Sequence, residues 1–462
     1  MTSAHAAHSR RILWVSFDGT LAGGFARSRE TVVSVLPTLI SKAHNVIPIN
    51  FSGVGSDDSW YDLFWGGVCG WGTMRNVMNA YRAWAARYLA LIISLIGLPE
   101  YGDNEFFHLL YKECKNNPIL KRPKAQKLFS YKRWTDVEIE AQCCFDTVGS
   151  LGLPLFGLAR PLAFFRRGTR KEDSVSTVPK SKHRNLPSIV ALPLQLFADS
   201  GVFTDVKYSF HALSLHETRE PFSPTYMSGD NVHQVFFLGN HGDLGWVDVG
   251  EESCVHAALA WMIQQLHSHS KIEFDGEKLK RYFTNNRPNL ARYPWANGRI
   301  TRTSAPVLAF MGKKVRKPWR SRGALEGGSD GSESTRISGC AAHTLPEIQI
   351  HIGARVREST EENVVPGYTL KAPIEGQPYW ARRGANRSLR SRRNSRDSDP
   401  VEEPNEPGRL APLPGSETAS SHEQVHDRMY QAPVGRLEAF LLGLPAATVS
   451  AEPCCKGLLD QI

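Results

Sequence analysis

The chain has 462 residues, 41% of them hydrophobic and 22% charged, a mixture that excludes wholesale disorder and is enough for one sizeable α/β core with insertions and a tail. A net charge of +9 and a pI near 9.1 favour anionic partners. The basic residues crowd Arg166–Arg184 and Arg382–Arg396, which are poor in large apolar residues and interleave no aromatics with the charges; with no helix-turn-helix or zinc-finger spacing elsewhere, nucleic-acid binding is not expected.

The 8 cysteines are irregularly spaced and form no C-x-x-C pair, so neither a zinc site nor a disulfide framework is expected, and no metal or cofactor is called for. Reduced thiols fit an intracellular, cytoplasmic protein. Met1–Arg11 has no apolar h-region, and the longest apolar run, Tyr88–Leu98, is well short of the roughly 20 residues that span a bilayer.

In chain order, Ile12–Phe17 is an apolar run stopped by Asp18-Gly19-Thr20, the pattern of a buried parallel strand entering a loop. Thr31–Ala43 places Val32, Val35, Leu36, Leu39 and Ile40 on one helical face, and Val46–Phe51 is a second strand-like run, which together predict a βαβ unit. Ser52–Gly72 reads as glycine-rich loop, and Thr73–Tyr81 and Ala83–Gly97 as helices. Gln142–Phe145 and Val232–Leu238 are predicted strands, and Cys254–Leu266 a strongly amphipathic helix. Pro346–Pro366 is expected to add one or two strands to the core. Arg320–Ser334 and Arg382–His422 are dominated by Gly, Ser, Pro, Arg and Glu and bury too little apolar surface to fold alone, whereas Arg436–Leu444 has the look of a docking helix. These shifts divide the chain into an α/β domain over 10–315 with a basic loop insertion at 166–186, a linker over 316–345, an extension of the core over 346–380, and a largely disordered basic, Pro-rich tail over 381–462.

Several short motifs recur in a definite order. They are Ser16-Phe17-Asp18-Gly19-Thr20, then Gly53-Val54-Gly55 with Trp71-Gly72 and Asn79-Ala80-Tyr81-Arg82, then Phe145-Asp146-Thr147-Val148-Gly149, and finally Gly239-Asn240-His241-Gly242-Asp243-Leu244-Gly245. Phe210-His211-Ala212-Leu213-Ser214, Glu217, Arg219 and Pro221-Phe222 lie between the last two. Together, over roughly residues 10–300, they resemble the α/β-hydrolase domain shared by many fungal proteins and by the type VI secretion phospholipase effectors. The resemblance implies a mostly parallel sheet flanked by helices and a Ser-Asp-His triad, with the serine on a strand-to-helix elbow of the form Gly-Phe-Ser-Arg-Gly-Ala beside a helix N-terminus. Ala83-Trp84-Ala85-Ala86-Arg87 resembles the stretch just after that elbow, yet it is joined directly to Tyr81-Arg82. The central nucleophile strand, the turn and the serine are missing from the sequence, and Arg82–Ala83 reads as a deletion junction. The one G-x-S-x-G match, Gly327-Gly328-Ser329-Asp330-Gly331, has no apolar strand before it or helix after it and reads as linker.

By the same resemblance Asp146 is the triad acid and His241 the general base, expected to meet at the carboxyl ends of adjacent parallel strands. The plainer readings are a turn carboxylate capping backbone amides and an exposed loop histidine. Asp243 is an alternative acid or a residue that orients the loop, and His211 and His216 are lesser candidates for the base. Ser52, Gly53, Val54 and Gly55 follow a strand where such hydrolases place an oxyanion donor, or are simply a tight βα loop. Asp18 is read as a cap or a polar liner of the cleft, not as a catalytic group. Tyr88, Leu91, Ile92, Leu95 and Ile96 line an acyl pocket or, more plainly, the core.

The expectation is a carboxylic-ester hydrolase relative, phospholipase-like, with a phospholipid or other ester lipid as partner, and inactive for want of the serine. Two alternatives stay open: an inactive relative that binds lipid or protein, and a mis-spliced or mis-assigned product of an active hydrolase gene.

Overall fold

The computed structural model describes residues 11–18, 30–42, 45–51, 86–100, 104–116, 126–135, 137–148, 206–224, 226, 227, 229, 231–247, 254–285, 294–305, 312–316, 348–374, 377–382 and 428–450. The predicted Ser52–Gly72 loop and Thr73–Tyr81 helix, the Arg82–Ala83 junction, the 166–186 insertion and the Gly327–Gly331 match lie outside the described residues. Those described form a mixed α/β fold in which parallel strands are flanked by helices.

Strand β1 (Arg11–Phe17) pairs in parallel with β2 (Asn45–Phe51), from Arg11↔Asn45 to Phe17↔Phe51. Between them α1 (Val32–Val35) is a single turn that tightens into a 3₁₀ turn at Leu36–Leu39. It is shorter than the predicted Thr31–Ala43 helix because Pro37 has no N–H to give to an α-helical ladder. Thr31 caps it: the Ser34 N–H donates to Thr31 Oγ1 at 3.1 Å.

Next come α2 (Ala86–Ile96) and α3 (Asn104–Asn116). Helix α2 buries Ala90, Ile92 and Ile96, leaves Leu95 37% exposed, and ends at Gly97, whose φ of 82° is glycine territory. Of the predicted stripe, then, Ile92 and Ile96 are core, while the side chains of Tyr88 and Leu91 are outside the described set.

The main sheet is wholly parallel. It runs β6-β5-β4-β3, from β3 (Ile139–Phe145), β4 (Val206–Ser214), β5 (Val232–Phe237) and β6 (Ile348–Ile350). β4 is covered on both faces, with Phe210, His211, Ala212, Leu213 and Ser214 all at 0% exposure, as parallel strands between helix layers require. Among the described residues the β1–β2 pair forms a separate two-stranded sheet, and α2 packs against both β1 and β3.

After β5, α4 (His241–Gly245) is a five-residue turn, followed by α5 (Val255–His269) and α6 (Gly276–Asn285). The predicted one-sided amphipathy of Cys254–Leu266 is corrected here. Val255 to Gln264 are buried without a break, because α5 has the sheet on one side, where Trp261 meets Phe210 and Phe237, and the C-terminal helix on the other.

Within Pro346–Pro366 the described residues form one strand, β6, in the expected range of one or two, and one helix, α7 (Gly353–Glu358). An antiparallel sheet comes next, ordered β7-β8-β9, from β7 (Tyr368–Ile374), β8 (Gln377–Arg382) and β9 (Arg428–Tyr430). α8 (Arg436–Leu442) closes the core. The expectation of disorder over 381–462 therefore needs amending for residues 428–450. The Ala432 N–H donates to Ile350 O at 2.8 Å, and Leu437, Ala439, Leu441 and Leu442 are buried. The side chain of Gln264 does the capping of α8, with Oε1 accepting from the N–H groups of Leu437 (2.9 Å) and Glu438 (3.1 Å). Residue 435 is glycine because any Cβ there would collide with the Gln264 side chain. A buried pair, His351 Nε2–H donating to Glu438 Oε1 at 2.8 Å, ties α8 to the end of β6.

Leu437→Ala removes a fully buried side chain and is expected to cost about 2–5 kcal/mol, read as a lower urea midpoint. His233 packs against Phe210 and His269, and burial, then the neighbouring His269, holds it down at about 4. The unfolded chain takes up this proton near pH 6.5, so stability is expected to fall between about pH 6.5 and pH 4 by about 3 kcal/mol. His233→Phe should flatten that fall in urea unfolding measured across the same window.

Candidate active site

The carboxyl ends of β3, β4 and β5 converge, and there the sequence turns polar: Asp146 directly after β3, Ser214 at the end of β4, and Asn240 and His241 beyond β5. Asp146 has φ 48°, a left-handed conformation that Asp tolerates, and its N–H donates to Ala212 O at 2.7 Å. The turn aims the carboxylate across the end of β4. Oδ1 accepts from the Ser214 N–H (2.8 Å), and Oδ2 from the Ser214 hydroxyl (3.0 Å) and from His241 Nδ1–H (2.8 Å). Two further donors come from Arg316, whose nitrogens reach Oδ1 at 2.5 Å and Oδ2 at 2.9 Å. Burial opposes the charge on Asp146, but the Arg316 guanidinium and the His241 hydrogen bond outweigh it and hold the carboxyl far below the usual range.

His241 is the first residue of α4. Its neighbour Asn240 caps that turn, accepting from the Asp243 N–H at 3.0 Å while Asp243 Oδ2 accepts from the Asn240 N–H at 2.8 Å. Gly239 precedes them with φ 103°, and a Cβ there would meet the Asp243 side chain at 2.7 Å. Asp146 has only acceptors to offer, so the hydrogen lies on Nδ1 and Nε2 is left as an acceptor. The ring is 29% exposed, and no described residue hydrogen-bonds Nε2.

Glu217, 1% exposed, supports the same turn. Its Oε2 accepts from the His241 N–H at 3.2 Å and from Arg219 at 2.7 Å, and Oε1 accepts from the N–H groups of Thr218 and Arg219. Burial would raise its carboxyl, but Arg219 and these amides lower it. Arg219 also lies 3.7 Å over the Phe222 ring, whose centroid is 5.0 Å from that of His241 in an edge-on contact. The imidazole is thus held at Nδ1, at its backbone and along one edge.

The structure brings Asp146 and His241 together, although not from adjacent strands as expected: β4 lies between β3 and β5, and α4 turns back over its end. Asp243 does not touch the imidazole. Its carboxylate is committed to the Asn240 N–H and, at 3.1 Å, the Thr301 N–H, which is the loop-orienting alternative. His211 is fully buried, with Nε2 accepting from the Thr147 N–H (3.1 Å) and Nδ1 facing Gln234 Oε1 (3.3 Å). His216 accepts the Gly239 N–H at Nδ1 (3.1 Å) and donates from Nε2 to Val364 O (3.0 Å), and burial lowers its proton affinity. Asp18 accepts from the Thr31 hydroxyl at 2.5 Å, buttressing the α1 cap, and burial raises its carboxyl. Ser52, Gly53, Val54 and Gly55 lie outside the described residues.

Arg316 was not foreseen. By composition it is the first residue of the linker, yet its guanidinium is buried at the site, and a separation of 170 residues from Asp146 leaves no local signal of the pairing. Among the described residues no group of three or more His, Cys, Asp or Glu side chains is placed to hold a metal ion, and no helix is long and apolar enough to cross a membrane.

A parallel α/β sheet with a carboxylate–imidazole pair at the carboxyl ends of its strands defines a protein with the parts for proton transfer. Residues 82–265 match the family model described as "T6SS, Phospholipase effector Tle1-like, catalytic domain", which is a shorter stretch than the motifs had spanned. A solved structure, the Tle1 effector bound to the VgrG spike from the Type 6 secretion system, is 15% identical, with 52% of each chain covered and a TM-score of 0.24. The chain spans about half the length of that structure. No curated protein matches.

Asp146→Asn keeps the shape but leaves the Arg316 charge buried without its partner, which is expected to lower stability by about 3–5 kcal/mol. A carboxyl held below its unfolded value of about 3.9 contributes stability that is present above that pH and lost as pH falls beneath it. Urea unfolding at about pH 7 and pH 3 should therefore show a smaller acid loss for the Asn variant than for the wild type.

Proposed function

We propose that the chain is a relative of lipid esterases and phospholipases on an α/β-hydrolase-like sheet, in which Asp146 and His241 are the acid and base of a serine triad whose nucleophile the sequence lacks. The observation that carries this reading is the 2.8 Å contact of His241 Nδ1 with Asp146 Oδ2, which leaves Nε2 as the acceptor on the partly exposed edge of the ring. In a complete triad Nε2 takes the serine proton as the oxygen attacks the acyl carbonyl, and returns a proton to the departing alcohol. Asp146 meanwhile holds the tautomer and stabilises the imidazolium. With no serine there is no acyl-enzyme, and loss of a triad nucleophile typically costs on the order of 10⁶ in turnover.

Three features support placing the missing strand before Ala83. Among the described residues the parallel strands fall into two separate sheets, α2 packs against both β1 and β3, and the family match begins at Arg82. The substrate class proposed is a phospholipid or other ester lipid.

Purified chain is expected to show no hydrolysis above background of short-chain acyl esters or phospholipid vesicles. Activity abolished by a serine-directed phosphonate, with the labelled serine mapped by mass spectrometry, overturns this. Inserting a strand and Gly-Phe-Ser-Arg-Gly between Arg82 and Ala83 is expected to restore hydrolysis that His241→Ala removes. Full rate in that variant refutes the assignment of the base.

A further inference from the structure

The acid of the pair is held by a residue outside both the sequence motifs and the 82–265 match. Arg316 is 6% exposed, and its two terminal nitrogens make four hydrogen bonds: to Asp146 Oδ1 (2.5 Å) and Oδ2 (2.9 Å), to Ser214 O (2.7 Å) and to Phe222 O (2.6 Å). Its backbone neighbours are fixed as well, since the Lys314 N–H donates to Thr218 O at 2.8 Å and the Glu220 N–H to Gly312 O at 3.2 Å. The segment is thus stitched to the turn that carries Glu217, Arg219 and Phe222.

An anchor of the 312–316 segment needs only the two carbonyls. The fork on the carboxylate does something else. It draws on both oxygens at once, including the Oδ2 that faces His241, so part of the negative field that stabilises an imidazolium is cancelled by a guanidinium directly behind it. It also fixes the plane of the carboxylate, and with it the oxygen presented to Nδ1.

We propose that Arg316 is a positioning residue that fixes the plane of the Asp146 carboxylate and, through it, offsets part of the negative charge that faces His241 Nδ1. This rests on reading Asp146 and His241 as an acid–base pair. The other charged groups near the ring are already committed: Glu217 accepts the His241 N–H and pairs with Arg219, and Asp243 accepts from the Asn240 and Thr301 amides.

The test is the titration midpoint of the His241 imidazole, followed by NMR in the full chain. Asp146→Asn is expected to lower it. Arg316→Gln is expected to raise it by about one pH unit or more, the scale on which a cation within a few ångströms acts. Arg316→Lys keeps the charge without the fork and is expected to recover more than half of that shift. An unchanged midpoint in Asp146→Asn defeats the acid–base pair itself. A lowered midpoint in Asp146→Asn with none raised in Arg316→Gln leaves the pair standing and defeats the proposal for Arg316. Should Arg316→Gln fail to fold, Arg316→Lys is read against the wild type, since it keeps the buried charge but not the fork. A raised midpoint is then expected, because one ammonium cannot hold both carboxylate oxygens, and an unchanged midpoint overturns the proposal.

Discussion

The Asp146 carboxylate sits at 1% exposure and accepts five hydrogen bonds, from the amide and hydroxyl of Ser214, from His241, and twice from Arg316. A buried carboxylate costs several kcal/mol unless its charge is paired and its lone pairs are filled. Here they are filled from three directions. To keep them filled, the ends of β3 and β4, the turn after β5 and the 312–316 segment must all keep their places. The geometry around His241 results from that one requirement.

One of these five donors is the buried Ser214 hydroxyl, which bonds Asp146 and not His241. The geometry of the pair is complete among the described residues, because Asp146 is satisfied by Ser214 and Arg316 and the His241 backbone by Glu217. The Asp146–His241 geometry is thus a property of the fold.

The edge of the main sheet at β6 is managed by the C-terminal segment. Ala432 and Gln431 meet Ile350 by backbone contact, α8 lies on α5, and the His351–Glu438 pair locks the two together. An uncovered parallel edge beside so apolar a core would invite association with other chains. With that edge covered, α5 is enclosed on both sides, which is why its burial runs continuously from Val255 to Gln264.

Four strands of the core were legible in the sequence because each is a short run stopped by Gly, Asp or Ser, and that signal is local: Ile12–Phe17, Val46–Phe51, Gln142–Phe145 and Val232–Leu238 all lie within observed strands or overrun them by a single residue, whereas β4, which is buried on both faces, was not read as a strand. Asp146 and His241 stand just past two of these runs, but it was the resemblance of the motifs around them that singled them out. Strand order, the insertion of β4 between β3 and β5, and the role of Arg316 belong to the tertiary structure. They rest on contacts between residues such as Asp146 and Arg316, 170 positions apart, that no periodicity encodes. The C-terminal helix falls between the two cases. Its apolar stripe is visible at Arg436–Leu444, but in isolation so short a helix is unstable. Only the Gln264 side chain at its N-terminus and the buried face of α5 make it part of the core.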